Sequence, residues 1–155
     1  MIDQDIVQEL GPLALAWARE TEALILNRGS VLSANAMADA TRAGVQEPSR
    51  IRVLVVDRIP LPEDARLAQA SRRAHIITEA SRAVTIGHGI MLRVECWGDR
   101  ELLLHQLVHV AQCERCGGLE AFVQQYLTDR QACPEFTIGG LEDEARRVAR
   151  DLAQS

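Results

Sequence analysis

The sequence predicts an α+β domain with a small mixed or antiparallel sheet, and three observations predict it. Helical apolar periodicity recurs along most of the chain, while only three short segments, near 50–57 and within 83–96, have the β-branched character of strands. The implied order, α-α-β-α-β-β-α-α-α, does not alternate as a parallel α/β fold would, and its strands fall too few and too far apart for a sandwich. The length, 155 residues, suits one domain with a core of its own, so residues 1–155 are taken as a single unit.

Each element follows from local signals. Residues 12–27, PLALAWARETEALILN, read as a helix with Pro12 in its first turn, a stripe through Leu13, Trp17 and Leu24, and Gly29 as the stop. Ser33 caps a second helix over 34–43, which Gly44 terminates. RIRVLVVD, 50–57, is short, continuous and β-branched, as a buried strand is. PLPED turns the chain, and Pro62 opens a helix over 63–74. AVTIGHGIMLRVEC, 83–96, reads as two strand pieces around a bulge or tight bend at Gly87-His88-Gly89. Asp99 caps a helix over 100–116, with Leu104, Leu107, Val108 and Ala111 on a buried face and Gly117-Gly118 as the stop. A short helix at 119–127, a loop RQACPEFTIGG and an amphipathic helix from Leu141 to Ala153 complete the chain.

Composition narrows the function classes. Hydrophobic residues make up 47% and aromatics 3%, so the core is aliphatic and the chain is not a disordered one. The net charge is −5 and no basic block occurs, which argues against nucleic acid as a partner. No apolar run reaches the roughly 20 residues that cross a bilayer. The start, MIDQDIVQEL, lacks a basic segment followed by an apolar one, so the cytoplasm is the expected location. Four cysteines in such a chain are expected as thiols or metal ligands rather than disulfides.

The chemistry concentrates in LLLHQLVHVAQCERCGG, 102–118. His105 and His109 stand four apart, so on a helix they share a face and can converge on one metal ion. Neutral imidazoles suit zinc, which then needs a third protein ligand and one open position. Two imidazoles unpartnered in an otherwise apolar helix would be costly, which favours a partner such as a metal. LLLHQLVHVAQ resembles the active-site helix of zincin metallopeptidases, H-E-x-x-H, and in particular that of small uncharacterised bacterial zincin-like proteins with helices of the type HELVHVxQ. The match lies in His105, His109, the aliphatic filler and Gln112. Downstream, LEDEARRVA is similar to the E-x-x-A segment of the gluzincin branch, with Glu142 and Ala145 in register and Arg146 where an aspartate is usual. The resemblance covers roughly 83–153. It implies one zinc ion per chain held by His105, His109 and Glu142, a zincin-like fold, and a peptide or protein as substrate or ligand. Glu144 lies about 200° around the helix from Glu142 and is the alternative third ligand.

Gln106 stands where zincins carry the glutamate that takes a proton from water and delivers it to the leaving amine. Glutamine matches its size but cannot take the proton, so the resemblance implies a weakly active or inactive peptidase. Three explanations remain open: a naturally inactive zincin used for binding, a substitution made to trap substrate, or another base among Glu95, Glu101, Glu114 and Glu120. His88 is a candidate cleft residue if its strand lines the site, and Tyr126 a candidate hydroxyl donor to an oxyanion. The rival readings are an interaction domain whose histidine pair is structural or vestigial, and a Cys/His structural zinc module using Cys113-x-x-Cys116. The module is disfavoured because His105 and Cys116 lie about 16 Å apart along a straight helix. The helix C-terminus also disfavours a thiolate there. Cys133 joins these thiols only if the loop folds back.

Overall fold

The computed structural model of the protein describes residues 4–132 and 140–155. Its elements are α1 (Gln4–Arg28), α2 (Ala34–Arg42), β1 (Arg52–Val56), α3 (Ala65–Arg73), β2 (Ala83–Ile86), β3 (Gly89–Arg93), α4 (Arg100–Cys116), α5 (Leu119–Ala132) and α6 (Leu141–Ala153). The order is the expected one and the class is α+β. The sheet is mixed, with β3 in the centre, parallel to β1 and antiparallel to β2.

Side-chain alternation on β3 divides the core. Ile90 and Leu92 face α4, joining Leu104, Leu107, Val110 and Ala111, with Ala40 of α2 and Ala149 of α6 behind them. Met91 faces the other way, onto Ile25, Ile59 and Ile77, with Trp17 packed alongside. The sheet is thus sandwiched between α4 and α1, as the two-residue period of a strand requires. α6 packs along α4, and α5 touches both α1 and α4.

Several expectations need correction. Pro12 lies well inside α1 rather than in its first turn, and it is exposed, so the hydrogen bond it removes is lost on the solvent side. Leu13 and Leu24 are also exposed, while Leu10, Ala18 and Ile25 form the buried stripe. The same helix offers two overlapping apolar stripes, and the sheet's position chose between them. β1 is an edge strand with Val55 exposed, because a continuous apolar run does not say which strand takes the centre. Its start is shortened by a 3-10 turn at Pro48–Arg50. Asp64, not Pro62, sets the start of α3, its carboxylate accepting from the Leu67 N–H at 2.9 Å. α5 runs on to Ala132, into the segment read as loop. Cys133 and the rest of that loop, 133–139, lie outside the described residues.

Gly87-His88 forms the tight turn of the β2–β3 hairpin, with Gly87 at φ 63°. The Glu22 carboxylate of α1 accepts the His88 N–H at 2.9 Å and fills the space a Gly87 side chain would need. Glycine suits this point for its backbone angle, and a side chain there would also displace the Glu22 carboxylate.

Candidate metal centre

α4 positions the histidines. Asp99 caps it, its carboxylate accepting from the Leu102 N–H at 3.0 Å, and Gly117 ends it at φ 97°. Asp39 of α2 grips Arg100 through two bonds of 2.9 and 3.0 Å, so the helix start is pinned to its neighbour. Burial is almost continuous from Gln106 to Cys113, which leaves the helix little freedom to roll.

α6 delivers the third group. The Leu141 N–H is capped by Asp129 of α5 at 3.0 Å. Glu142, in the first turn, then projects toward α4, in the region where a helix favours a carboxylate. Its Oε2 lies 3.2 Å from His105 Nε2 and its Oε1 2.9 Å from His109 Nε2. Tyr126 of α5 donates its hydroxyl to Glu142 Oε1 at 2.9 Å. Ligand atoms around a tetrahedral ion with bonds near 2.0–2.1 Å sit about 3.3 Å apart. The three side chains therefore already stand close to the spacing of a ligand set, and together they can hold a metal ion.

The protons of this cluster can be assigned from Gln112, a fully buried residue. Its amide nitrogen donates to the Leu141 carbonyl at 2.9 Å and to Glu144 Oε1 at 2.8 Å, both acceptors without hydrogens. That fixes the amide, and its oxygen faces His109 Nδ1 at 2.8 Å. His109 must then carry a proton on Nδ1, so a neutral ring turns its Nε2 lone pair toward Glu142. Lone pairs 2.9 Å apart repel unless a cation, a proton or a metal ion, lies between them. Burial alone would push the Glu142 carboxyl upward, but the hydrogen bonds and charge of His105 and His109 hold it far below the ordinary carboxylate range.

Glu144, the alternative ligand, faces away from the cluster. It supports Gln112 and pairs with Arg115 at 2.8 Å. Gln106 lies beside the histidines with its Oε1 accepting from Thr85 of β2 at 2.8 Å. His88 does not reach this cleft. Its Nε2 lies 2.9 Å from Glu114, whose carboxylate also accepts the N–H groups of Gln46 and Glu47 at 2.7 and 3.1 Å. Glu47, His88 and Glu114 are close enough to be weighed as a second metal group. Glu114 is already occupied by its three donors and Glu47 is paired with Arg50 at 2.7 Å, so the cluster reads as a clasp holding the hairpin and the 46–47 loop to α4.

A cavity of about 300 Å³ opens beside the metal cluster. It lies off the outer edge of β2, between α1, the end of α3, α4 and α5. Its wall is largely apolar, including Trp17, Leu67, Ile77, Ile86 and Phe122, and among the described residues no Lys, Arg or Asp lines it. Glu95, Glu101, Glu114 and Glu120 are absent from that wall as well, which corrects their nomination as bases. Glu95 pairs with Arg93 and Glu120 with Arg19, both on the surface. Cys113 is buried, and its thiol is pushed up to about 12, first by burial and then by nearby acidic groups. A thiol so held is neither a ready metal ligand nor a redox group, and the metal-capable groups among the described residues contain no cysteine.

No family model, no curated protein and no solved structure matches this chain.

Proposed function

We propose that the protein binds one zinc ion through His105, His109 and Glu142, and that the ion sits at the head of a zincin-like cleft receiving an extended, apolar stretch of peptide. Peptide hydrolysis there is weak or absent because Gln106 cannot move a proton. The observation carrying the metal reading is the proton assignment at His109, whose Nε2 is turned, without a hydrogen of its own when neutral, onto a carboxylate 2.9 Å away. Two imidazoles and one carboxylate are a donor set that zinc accepts, leaving a position open toward the cavity. Zinc in that place supplies Lewis acidity toward a carbonyl and toward water. Of the chain's own groups, Tyr126 steadies Glu142, and Gln106 positions by hydrogen bonding alone.

The peptide reading is supported by the outer edge of β2, which pairs with no strand among the described residues. Arg82 bonds across to Arg93 at 2.9 Å, so the main-chain groups of Ala83 and Thr85 point away from β3, and both residues line the cavity. An extended chain can pair with such an edge and lay apolar side chains into the cavity. The wall is largely apolar and carries no Arg or Lys among the described residues, which fits a neutral internal stretch better than a free carboxyl terminus.

Elemental analysis of protein purified without a metal-affinity tag tests the reading. About one zinc per chain is expected, lost in His105→Ala and Glu142→Ala and retained in Cys113→Ser. Absence of metal even after zinc is added would favour the rival, an interaction domain whose histidine pair is closed by a proton. Zinc lost only in Cys113→Ser would favour the Cys/His module.

A further inference from the structure

Five polar side chains are buried among the described residues: Ser71, Thr85, Gln106, His109 and Gln112. All but Gln112 line the cavity beside the metal cluster. A few polar groups set into an apolar wall are what fixes a ligand's orientation in a pocket.

Their hydrogens can be counted. His109 Nδ1 and Gln112 meet each other, and the Gln112 amide nitrogen serves α6. Thr85 has one hydroxyl hydrogen. It goes to Gln106 Oε1 at 2.8 Å rather than to the Gln106 main-chain carbonyl at 3.1 Å, which lies within α4. The Gln106 amide nitrogen and the Ser71 hydroxyl are left over, and neither meets an acceptor among the described residues. Gln106 is only 5% exposed and Ser71 only 8%. Neither atom is sealed in, however, since Arg93 Nε is the one side-chain atom both enclosed and unbonded among the described residues. The space that Ser71 and Gln106 share is the cavity. An unpaired donor at that depth destabilises a fold, and an acceptor carried by a ligand removes the penalty.

The placement suits an extended chain. Thr85, which orients the Gln106 amide, belongs to β2, and its main-chain groups point away from β3. A peptide paired with that edge passes beside Gln106. Ser71 reaches the same cavity from α3, which packs on α1. Main-chain carbonyls are the acceptors that an apolar peptide carries whatever its side chains.

We propose that Gln106 and Ser71 hold a bound peptide by its main-chain carbonyls, Gln106 beside the metal cluster and Ser71 from the α3 side of the cavity. The proposal deepens the peptide reading above and rests on it. It gives Gln106 a task that a glutamate does not perform, because an ionised carboxylate has no hydrogen to donate and repels a carbonyl oxygen. The ligand class is a neutral peptide stretch with carbonyls at both donors and apolar side chains on the wall. A pure hydrocarbon would leave both donors unpaired.

Ser71→Ala and Gln106→Met test it by calorimetry, with a capped, uncharged pentapeptide of alternating alanine and leucine added to the zinc-loaded full chain. Each change removes an unpaired donor. In Gln106→Met the Thr85 hydroxyl keeps the main-chain carbonyl at position 106 as acceptor. Zinc content is expected to be unchanged, and the melting temperature of Ser71→Ala no lower than wild type. Peptide affinity falls about five- to tenfold in each variant as one hydrogen bond is lost. Affinity unchanged in either variant overturns the role of that residue and leaves the peptide reading standing. Affinity and melting temperature falling together in Ser71→Ala also overturn its role, since the hydroxyl would then be holding the fold. A wild type that does not bind the peptide overturns both the proposal and the peptide reading. A wild type that takes up no zinc yet binds the peptide, with both variants weakened, overturns the metal reading alone and supports the two donors.

Discussion

At the scale of single residues, the cluster depends on groups with no motif of their own. Gln112 was visible in the sequence only as the polar residue after HQLVHVA, yet it sets the proton on His109 and ties α4 to α6. Gln112→Met keeps the volume and removes the bonds. Zinc affinity is expected to fall about 10–100-fold, measured by competition with a chelating dye. The fold should also lose about 1–3 kcal/mol, because the Leu141 carbonyl and Glu144 lose their buried donor. Gln106→Glu tests the opposite change. Thr85 can donate to a carboxylate as it does to the amide, and casein cleavage by the zinc-loaded chain is expected to rise about 10²–10⁴-fold. Glu142 was legible because its E-x-x-A spacing is local, whereas the cavity wall was not, since it is assembled from residues of several elements far apart in the chain.

At the scale of elements, what could be read was what is determined locally. α4 follows from its cap, its apolar spacing and its stop glycine, and it lies where the sequence places it. Asp99→Ala should therefore cost about 1 kcal/mol in chemical denaturation, and more if the Arg82 contact at 2.9 Å adds to the cap. β1 and α1 differ in burial from what their sequences predict because their partners lie far along the chain. Leu13 and Leu10 are equally apolar, and only the arrival of β3 and α5 against α1 decides which is covered. Cys113, on the buried face of α4, gives this scale a pH signature. Its thiol is raised to about 12 from an ordinary value near 9.0, so the folded state disfavours its ionisation. The stabilisation is complete below the free thiol's range and is lost between about pH 9 and 12, at about 1.4 kcal/mol per pH unit. Cys113→Ala should flatten that alkaline limb of the stability curve while leaving zinc content unchanged.

For the whole molecule, the metal cluster joins α4, from the central layer, to α6, the last element of the chain, with Tyr126 of α5 bonded to the same carboxylate. No helix among the described residues is long and apolar enough to cross a membrane. An unfolded chain cannot bring residues 105, 109 and 142 together, so zinc held by the proposed site would bind the folded state and stabilise it by mass action. At a free zinc concentration 100-fold above the dissociation constant, the gain is about 2.7 kcal/mol. For a chain of this size that raises the melting temperature by about 5–11 °C. A chelator should reverse the shift in wild type and produce none in His105→Ala. The proton assignment adds a sharper mark. Nδ1 carries the proton that meets Gln112, so Nε2 is the His109 nitrogen turned to the ion and to Glu142. Zinc takes that position only by displacing any proton the pair shares, and the measured binding enthalpy is expected to change with the ionisation enthalpy of the buffer. An enthalpy independent of buffer would mean that His109 Nε2 does not meet the ion, and the ligand set would have to be redrawn.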